Sequence, residues 1–200
     1  MSNNQYFENT PDTQHDFKEF TFTLRGVEFH FTTDSNVFSK STIDFGSRLL
    51  IESFDDSDLP AGDVLDVGCG YGPMGLSIAK TTGRAVEMVD VNERAMDLAR
   101  QNALRNKIEN VRIHTSSVYE QVEKTDFVAI ISNPPIRAGK NVVHEILEKS
   151  YQHLQTGGVL IIVIQKKQGG PSAKAKMEEV FGNVEIVAKD KGYFIYRSVK

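Results

Sequence analysis

From residue 63 to the C-terminus, short apolar runs alternate with stretches of helical periodicity, and that alternation leaves few folds open. The apolar runs fall at residues 64–67, 85–90, 111–114, 127–132 and 159–164, and helical patterns at 74–81, 92–106 and 142–154 lie between most of them. Strands joined through helices pair in parallel. A sheet covered by helices on both faces can carry strands that are apolar throughout, as Phe127, Val128, Ala129, Ile130 and Ile131 are. A further helical pattern at 173–181 precedes two last strand candidates at 184–188 and 194–198. Only residues 189–193 join those two, too few for a parallel crossover, so an antiparallel hairpin is expected to close the sheet. The expected architecture is α/β: a Rossmann-like, seven-stranded, mostly parallel sheet.

Ahead of this core, Phe20, Phe22 and Leu24 alternate with Thr21 and Thr23, and beyond Arg25-Gly26 the residues Val27, Phe29 and Phe31 recur at period two. That is the pattern of a half-buried β-hairpin. Ile43, Leu49, Leu50 and Phe54 then recur at roughly helical spacing, with Ser41 or Thr42 available as the helix cap. The 200 residues are enough for one domain, at about 100 to 200 residues each. Residues 1–33 are read as its hairpin extension, 34–60 as a helical lead-in and 61–200 as the Rossmann-like core.

Several classes are excluded at this point. A single cysteine, Cys69, cannot form an intramolecular disulfide, which fits a reducing compartment. Residues 1–13 are polar where a secretory signal needs a basic start and an apolar run, and no later stretch is long enough to span a bilayer, so the chain is read as cytoplasmic, with no membrane partner. The five histidines lack metal-ligand spacing, so no metal is expected, and His144 reads as a surface or packing residue at the start of a helix.

Two motifs carry chemistry. The first is Asp66-Val67-Gly68-Cys69-Gly70-Tyr71-Gly72, which ends an apolar strand and opens a helix, where glycines let a ligand approach the backbone closely. The next strand ends in Asp90, 18 residues beyond Gly72, the separation at which a carboxylate grips ribose hydroxyls in nucleotide-binding sheets. Asp66 would set negative charge beside a pyrophosphate, but it suits a ligand's ammonium group. Together these features point to S-adenosylmethionine, with a dinucleotide loop or a ligandless turn as the alternatives. No base is spaced to activate Cys69 as a nucleophile.

The second motif is Asn133-Pro134-Pro135-Ile136, directly after the apolar strand ending at Ser132. Proline fixes its own φ, removes a backbone donor and holds the preceding residue extended, so the Asn133 side chain and the Pro134 carbonyl can form a fixed pair of acceptors. Such a pair suits an exocyclic amine: with its hydrogens held, the nitrogen lone pair can be aimed in line at a methyl sulfonium, without a strong base. A buried structural turn is the alternative for these residues taken alone.

The two motifs in this order resemble a class I S-adenosylmethionine-dependent methyltransferase, and more closely the ribosomal RNA small subunit methyltransferase C family, which methylates guanine N2. The resemblance runs from about residue 33 to the C-terminus and includes Val37-Phe38-Ser39-Lys40, Asp44-Phe45-Gly46-Ser47 and the stretch from Asn133 to Lys140. It implies that Asp66, Gly68, Cys69, Gly70 and Gly72 surround the methionine part of the cofactor and that Asp90 holds the ribose. Val91 and Asn92 would lie beside the adenine, and Ser117 stands where related enzymes often carry an acidic residue near the adenine amine. Asn133, Pro134, Pro135 and Ile136 would form the amine-binding motif, with Ile136 giving apolar contact where an aromatic residue is common. Phe38, Lys40, Arg137 and Lys140 are the expected substrate contacts.

The formal charge of −4 argues against a nonspecific nucleic-acid coat, yet the charge is uneven. Residues 1–60 carry 4 basic and 11 acidic side chains, whereas residues 161–200 carry 8 and 4. Salt confines such fields to about 10 Å, so a local basic face can still hold a polyanion. Arg137, Lys140, Lys166, Lys167, Lys174 and Lys176 could track an RNA backbone, giving affinity and leaving base choice to the pocket; a solvated face is the alternative. The expected partner is ribosomal RNA or the small ribosomal subunit. Two rivals stay open, methylation of another amine (adenine N6 or a protein glutamine) and a noncatalytic RNA-binding or assembly factor.

Overall fold

The computed structural model describes residues 15–34 and 42–200. Strands β1 (Lys18–Leu24) and β2 (Val27–Thr33) form an antiparallel hairpin, and helix α1 (Phe45–Ser53) leads into the core. The core then runs β3 (Val64–Val67), α2 (Pro73–Thr82), β4 (Val86–Asp90), α3 (Glu93–Arg105), β5 (Val111–Thr115), β6 (Phe127–Ser132), α4 (Lys140–His153), β7 (Leu154–Gln165), α5 (Gly170–Phe181), β8 (Glu185–Asp190) and β9 (Tyr193–Val199). The seven core strands lie in the order β5-β4-β3-β6-β7-β9-β8, parallel from β5 to β7, with β9 and β8 antiparallel. The chain builds outward from β3 to β5, then crosses back to add β6 on the other side of β3. The crevice between β3 and β6 at their carboxyl ends is therefore the switch point at which open α/β sheets bind ligands.

Alternate residues of the buried strands feed two cores. Along β7, Val159, Ile161 and Val163 pack with α1, α2 and α3, while Leu160, Ile162 and Ile164 pack with α4 and α5. Among the described residues, no helix is long and apolar enough to cross a membrane.

The hairpin turns at Arg25 and Gly26, with φ of +50° and +76°, the left-handed pair that a tight two-residue turn needs. Leu24, Phe29 and Phe31 are fully buried in the first core. The outer edge of β2 is clasped by α3. Asn102 accepts from the Thr32 amide at 2.8 Å and donates to its carbonyl at 3.0 Å, and Asn106 does the same for His30 at 2.8 and 2.8 Å. The two asparagines, one helical turn apart, thus occupy an edge that would otherwise expose unpaired backbone groups.

Three details differ from expectation. Helix α1 begins at Phe45 and its cap is Asp44, whose Oδ2 accepts from the Ser47 amide at 3.0 Å; Thr42 lies ahead of the helix, and Ser41 is outside the described residues. Strand β7 begins at Leu154, directly after α4, because Leu154 pairs with Phe127 before an irregularity restores register at Val159 and Ala129. Lys176 does not face open solvent: it is largely buried between Glu148 at 3.8 Å and Glu179 at 3.5 Å, so those carboxylates occupy the charge expected to meet phosphate.

Candidate active site

The two chemical motifs leave the sheet side by side. Val67, the last residue of β3, pairs with Ser132, the last residue of β6, and the Ser132 hydroxyl donates to the Val67 carbonyl at 2.8 Å. Gly68 and Asn133 come next on their strands, so the glycine turn and the Asn-Pro-Pro turn emerge about 5 Å apart, the spacing of adjacent strands.

The glycine turn is held over β4. The Gly68 and Cys69 amides both donate to the Val89 carbonyl, at 2.8 and 3.0 Å. Gly68 has φ of +75°, and a Cβ there would meet nothing within 4 Å, so the backbone is bare toward open space. Behind the turn the packing is tight. Gly72 caps α2 in the left-handed conformation ahead of Pro73, and a Cβ on Gly75 would come within 2.8 Å of Met88.

Two carboxylates flank this turn. Asp66 is 1% exposed; its Oδ2 accepts from the Gly75 amide at 2.9 Å, and its Oδ1 is buried without a partner. Burial, opposed by the Gly75 hydrogen bond and aided by nearby Asp90, pushes its carboxyl up to about 7. Asp90 fastens the turn to the next helix: its Oδ2 accepts from the Gly70 amide at 2.9 Å and its Oδ1 from the Asn92 amide at 3.0 Å. Asn92 in turn caps α3. Burial raises the Asp90 carboxyl as well, against those backbone donors. The buried Cys69 thiol is pushed well above its usual range, chiefly by burial, which leaves it neutral and unreactive.

Asn133 is fixed from the opposite side. Its Nδ2 donates to Asp44 Oδ2 and to Ser47 Oγ, both at 3.1 Å, which leaves Oδ1 as the amide's remaining polar atom. After Pro135 the chain makes a short 3-10 turn over Ile136–Ala138, with the Ala138 amide donating to the Pro135 carbonyl at 2.9 Å, and α4 follows.

These pieces line one cavity of about 720 Å³. Of the residues singled out in the sequence, Asp66, Gly68, Cys69, Gly70, Asp90, Val91, Asn92, Ser117, Asn133, Pro134, Pro135, Ile136 and Arg137 line it. Gly72 lies behind the turn as the α2 cap, and Lys140 is an exposed residue at the start of α4, outside the lining. Phe38 and Lys40 fall outside the described residues. Lining residues that the sequence did not single out as site residues include Asp44, Ser47, Gln165 and Tyr193. Tyr193, from the C-terminal hairpin, packs on α1 so closely that a Cβ on Gly46 would stand 2.9 Å from its ring, a contact with no local sequence signal.

The cavity's polar groups fit S-adenosylmethionine. The orphaned Asp66 oxygen matches an ammonium, the Asp90 carboxylate retains lone pairs for hydroxyls, and the bare Gly68 backbone leaves room for close approach. Among the described residues no cluster of three His, Cys, Asp or Glu could hold a metal.

Comparison with known proteins gives concordant results. The family model described as methyltransferase small domain matches residues 28–197. An uncharacterized protein, YbxB of Bacillus subtilis (strain 168), is 51% identical over 98% of both chains. Ribosomal RNA small subunit methyltransferase C of Vibrio parahaemolyticus is 33% identical over 92% of this chain and 53% of its own length. Among solved structures, the T. thermophilus 16S rRNA N2 methyltransferase RsmC, in complex with AdoMet and guanosine, superposes with a TM-score of 0.82 at 25% identity, covering 92% of this chain and 50% of that one. The chain spans about half the length of these named methyltransferases.

Proposed function

The chain belongs to the methyltransferase small domain family, whose methyl donor is S-adenosylmethionine, and on that premise we propose that it methylates the exocyclic N2 amine of a guanine in ribosomal RNA. The observation that carries this reading is the junction of β3 and β6, where an amide oxygen locked by two prolines and two hydrogen bonds stands beside a glycine turn in the same cavity. Names of relatives supply the substrate class: the Vibrio parahaemolyticus relative is named as a ribosomal RNA small subunit methyltransferase, and the structural neighbour is a 16S rRNA N2 methyltransferase in complex with AdoMet and guanosine.

In this reading Asp66 takes the ammonium of the donor on its unpartnered oxygen and Asp90 the ribose hydroxyls, while Gly68, Cys69 and Gly70 flank the methionine chain. Val91, Asn92 and Ser117 bound the adenine. The donor, when bound, supplies a methyl group on a sulfonium; its transfer forms a carbon–nitrogen bond, breaks a carbon–sulfur bond and releases one proton to water. Asn133 Oδ1 and the Pro134 carbonyl hold the amine hydrogens, so the nitrogen meets the methyl with its lone pair in line, and positioning replaces a general base. Pro135 stiffens the turn, and Ile136 packs on the base. Arg137 and Lys140, with Phe38 and Lys40, meet the surrounding RNA, to which Lys166, Lys167 and Lys174 add affinity without reading sequence.

Incubating ribosomal RNA and small subunits with methyl-labelled S-adenosylmethionine and identifying the modified nucleoside by mass spectrometry tests the reading. N2-methylguanosine is the expected product. Label on adenine N6, label in protein, or tight donor binding with no transfer to any fraction would each refute it.

A further inference from the structure

The Asn133 side chain could in principle turn either its oxygen or its NH2 group toward the cavity, and the two choices serve opposite substrates. With the oxygen inward the site accepts from an amine; with the NH2 group inward it donates to a carbonyl. We propose that Asp44 and Ser47, at the cap and third residue of α1, are positioning residues that make this choice and thereby select an amine; this rests on the reading of Asn133 given above.

The argument begins with acceptor chemistry. A carboxylate offers only lone pairs, so the Asn133 atom 3.1 Å from Asp44 Oδ2 must be the nitrogen. The second amide proton goes to the Ser47 hydroxyl at 3.1 Å. Both donors of the amide are then spent on one helix end, and among the described residues no donor reaches Oδ1. Asp44 and Ser47 are themselves fixed: Asp44 Oδ2 also accepts from the Ser47 amide at 3.0 Å, which closes a ring of three polar groups around the first turn of α1. Ser47 is 4% exposed, and all three residues line the cavity. Flipping Asn133 would turn its carbonyl oxygen onto the Asp44 carboxylate, which has no proton to give, and would leave only the Ser47 hydroxyl to answer it, so the observed orientation is the favoured one. The contacts join residues 89 and 86 positions apart, so α1 acts as an external clamp on the turn after β6.

Capping and clamping can be separated. Asp44→Ser keeps a side chain that caps helices well but is too short to reach Asn133, Ser47→Ala removes only the hydroxyl acceptor, and Asp44→Asn keeps an oxygen at the original reach. With ribosomal RNA and labelled donor, kcat is expected to fall by roughly ten- to a hundredfold in Asp44→Ser and in Ser47→Ala, the loss that follows small misplacement of a reacting group. Asp44→Asn is expected to retain most of the rate. Donor affinity by calorimetry and the thermal midpoint are expected to stay near those of the unmodified protein, which a merely structural role would not allow. Independently of turnover, the Asn133 side-chain amide protons, assigned by their loss in Asn133→Ala, are expected to exchange slowly with solvent by nitrogen-15 NMR and to exchange faster in Ser47→Ala. Unchanged kcat and unchanged amide exchange in both clamp variants, with Asn133→Ala inactive, would overturn the clamp and leave the amine reading standing. Full activity of Asn133→Ala would overturn the amine reading, and the clamp's role with it.

Discussion

Replacing Asp66 by asparagine is expected to stabilise the ligand-free protein at pH 8 and to destabilise it at pH 4. Burial lifts the Asp66 carboxyl from its ordinary 3.8 to about 7. Between those values the folded chain keeps a proton that the unfolded chain releases, so the contribution of this residue to stability falls as pH rises through that window. About three pH units, at about 1.4 kcal/mol each, cost roughly 4 kcal/mol by pH 8. Asparagine does not titrate, and its oxygen can still accept from the Gly75 amide. Its NH2 group would take the place of the partnerless Oδ1, at a cost of about 1 kcal/mol. The variant should therefore gain about 3 kcal/mol at pH 8, a midpoint rise of about 6 to 12 °C for a domain of this size, and lose about 1 kcal/mol at pH 4. Urea unfolding followed by circular dichroism from pH 4 to 8 measures both limbs. The same variant should bind S-adenosylmethionine more weakly, because the ammonium loses its charged partner. A stability difference that stays constant across the whole pH range would refute the assignment of this buried charge.

Asp90→Ala is expected to weaken S-adenosylmethionine binding by about tenfold or more, since it removes the ribose acceptor and frees the Gly70 amide; unchanged affinity by calorimetry would remove Asp90 from the ribose site. Gly75→Ala forces a methyl group to within 2.8 Å of the Met88 side chain and should cost about 1–3 kcal/mol, recovered in part by Met88→Val, as read from urea unfolding. Asn102→Ala leaves the Thr32 amide and carbonyl without their partner and should cost about 1–3 kcal/mol. Hydrogen exchange at Thr32 is expected to rise in that variant while β6 stays protected.

Much of the fold was legible because its strands are buried on both faces, which makes them uninterrupted apolar runs bounded by polar turns. Phe127 to Ser132 is the clearest case, and the structure keeps those limits. The two motifs were legible for a related reason: each directly follows such a strand, so sequence neighbours become site neighbours once β3 and β6 pair. What sequence could not supply are contacts made across the fold. Asp44 and Ser47 reach Asn133 from a helix more than eighty positions away, and Tyr193 arrives from the last hairpin. Asn102 and Asn106 read as ordinary polar residues of a helix, yet they pair with a strand edge. The α1 cap was misplaced because Ser41, Thr42 and Asp44 are all good caps, and only the fold decides which side chain meets a free amide. Lys176 counted toward a basic face until its two glutamate partners appeared.

A crystal structure of the protein with S-adenosylhomocysteine and guanosine gives the most direct test of an amine held by Asn133 beside the glycine turn. Guanine N2 is expected within about 3.2 Å of Asn133 Oδ1. It should also lie about 5 Å from the thioether sulfur, leaving room for one methyl with reacting atoms about 3 to 3.5 Å apart. Guanosine bound with its amine turned away, or thioether and base in separate parts of the cavity, would contradict it.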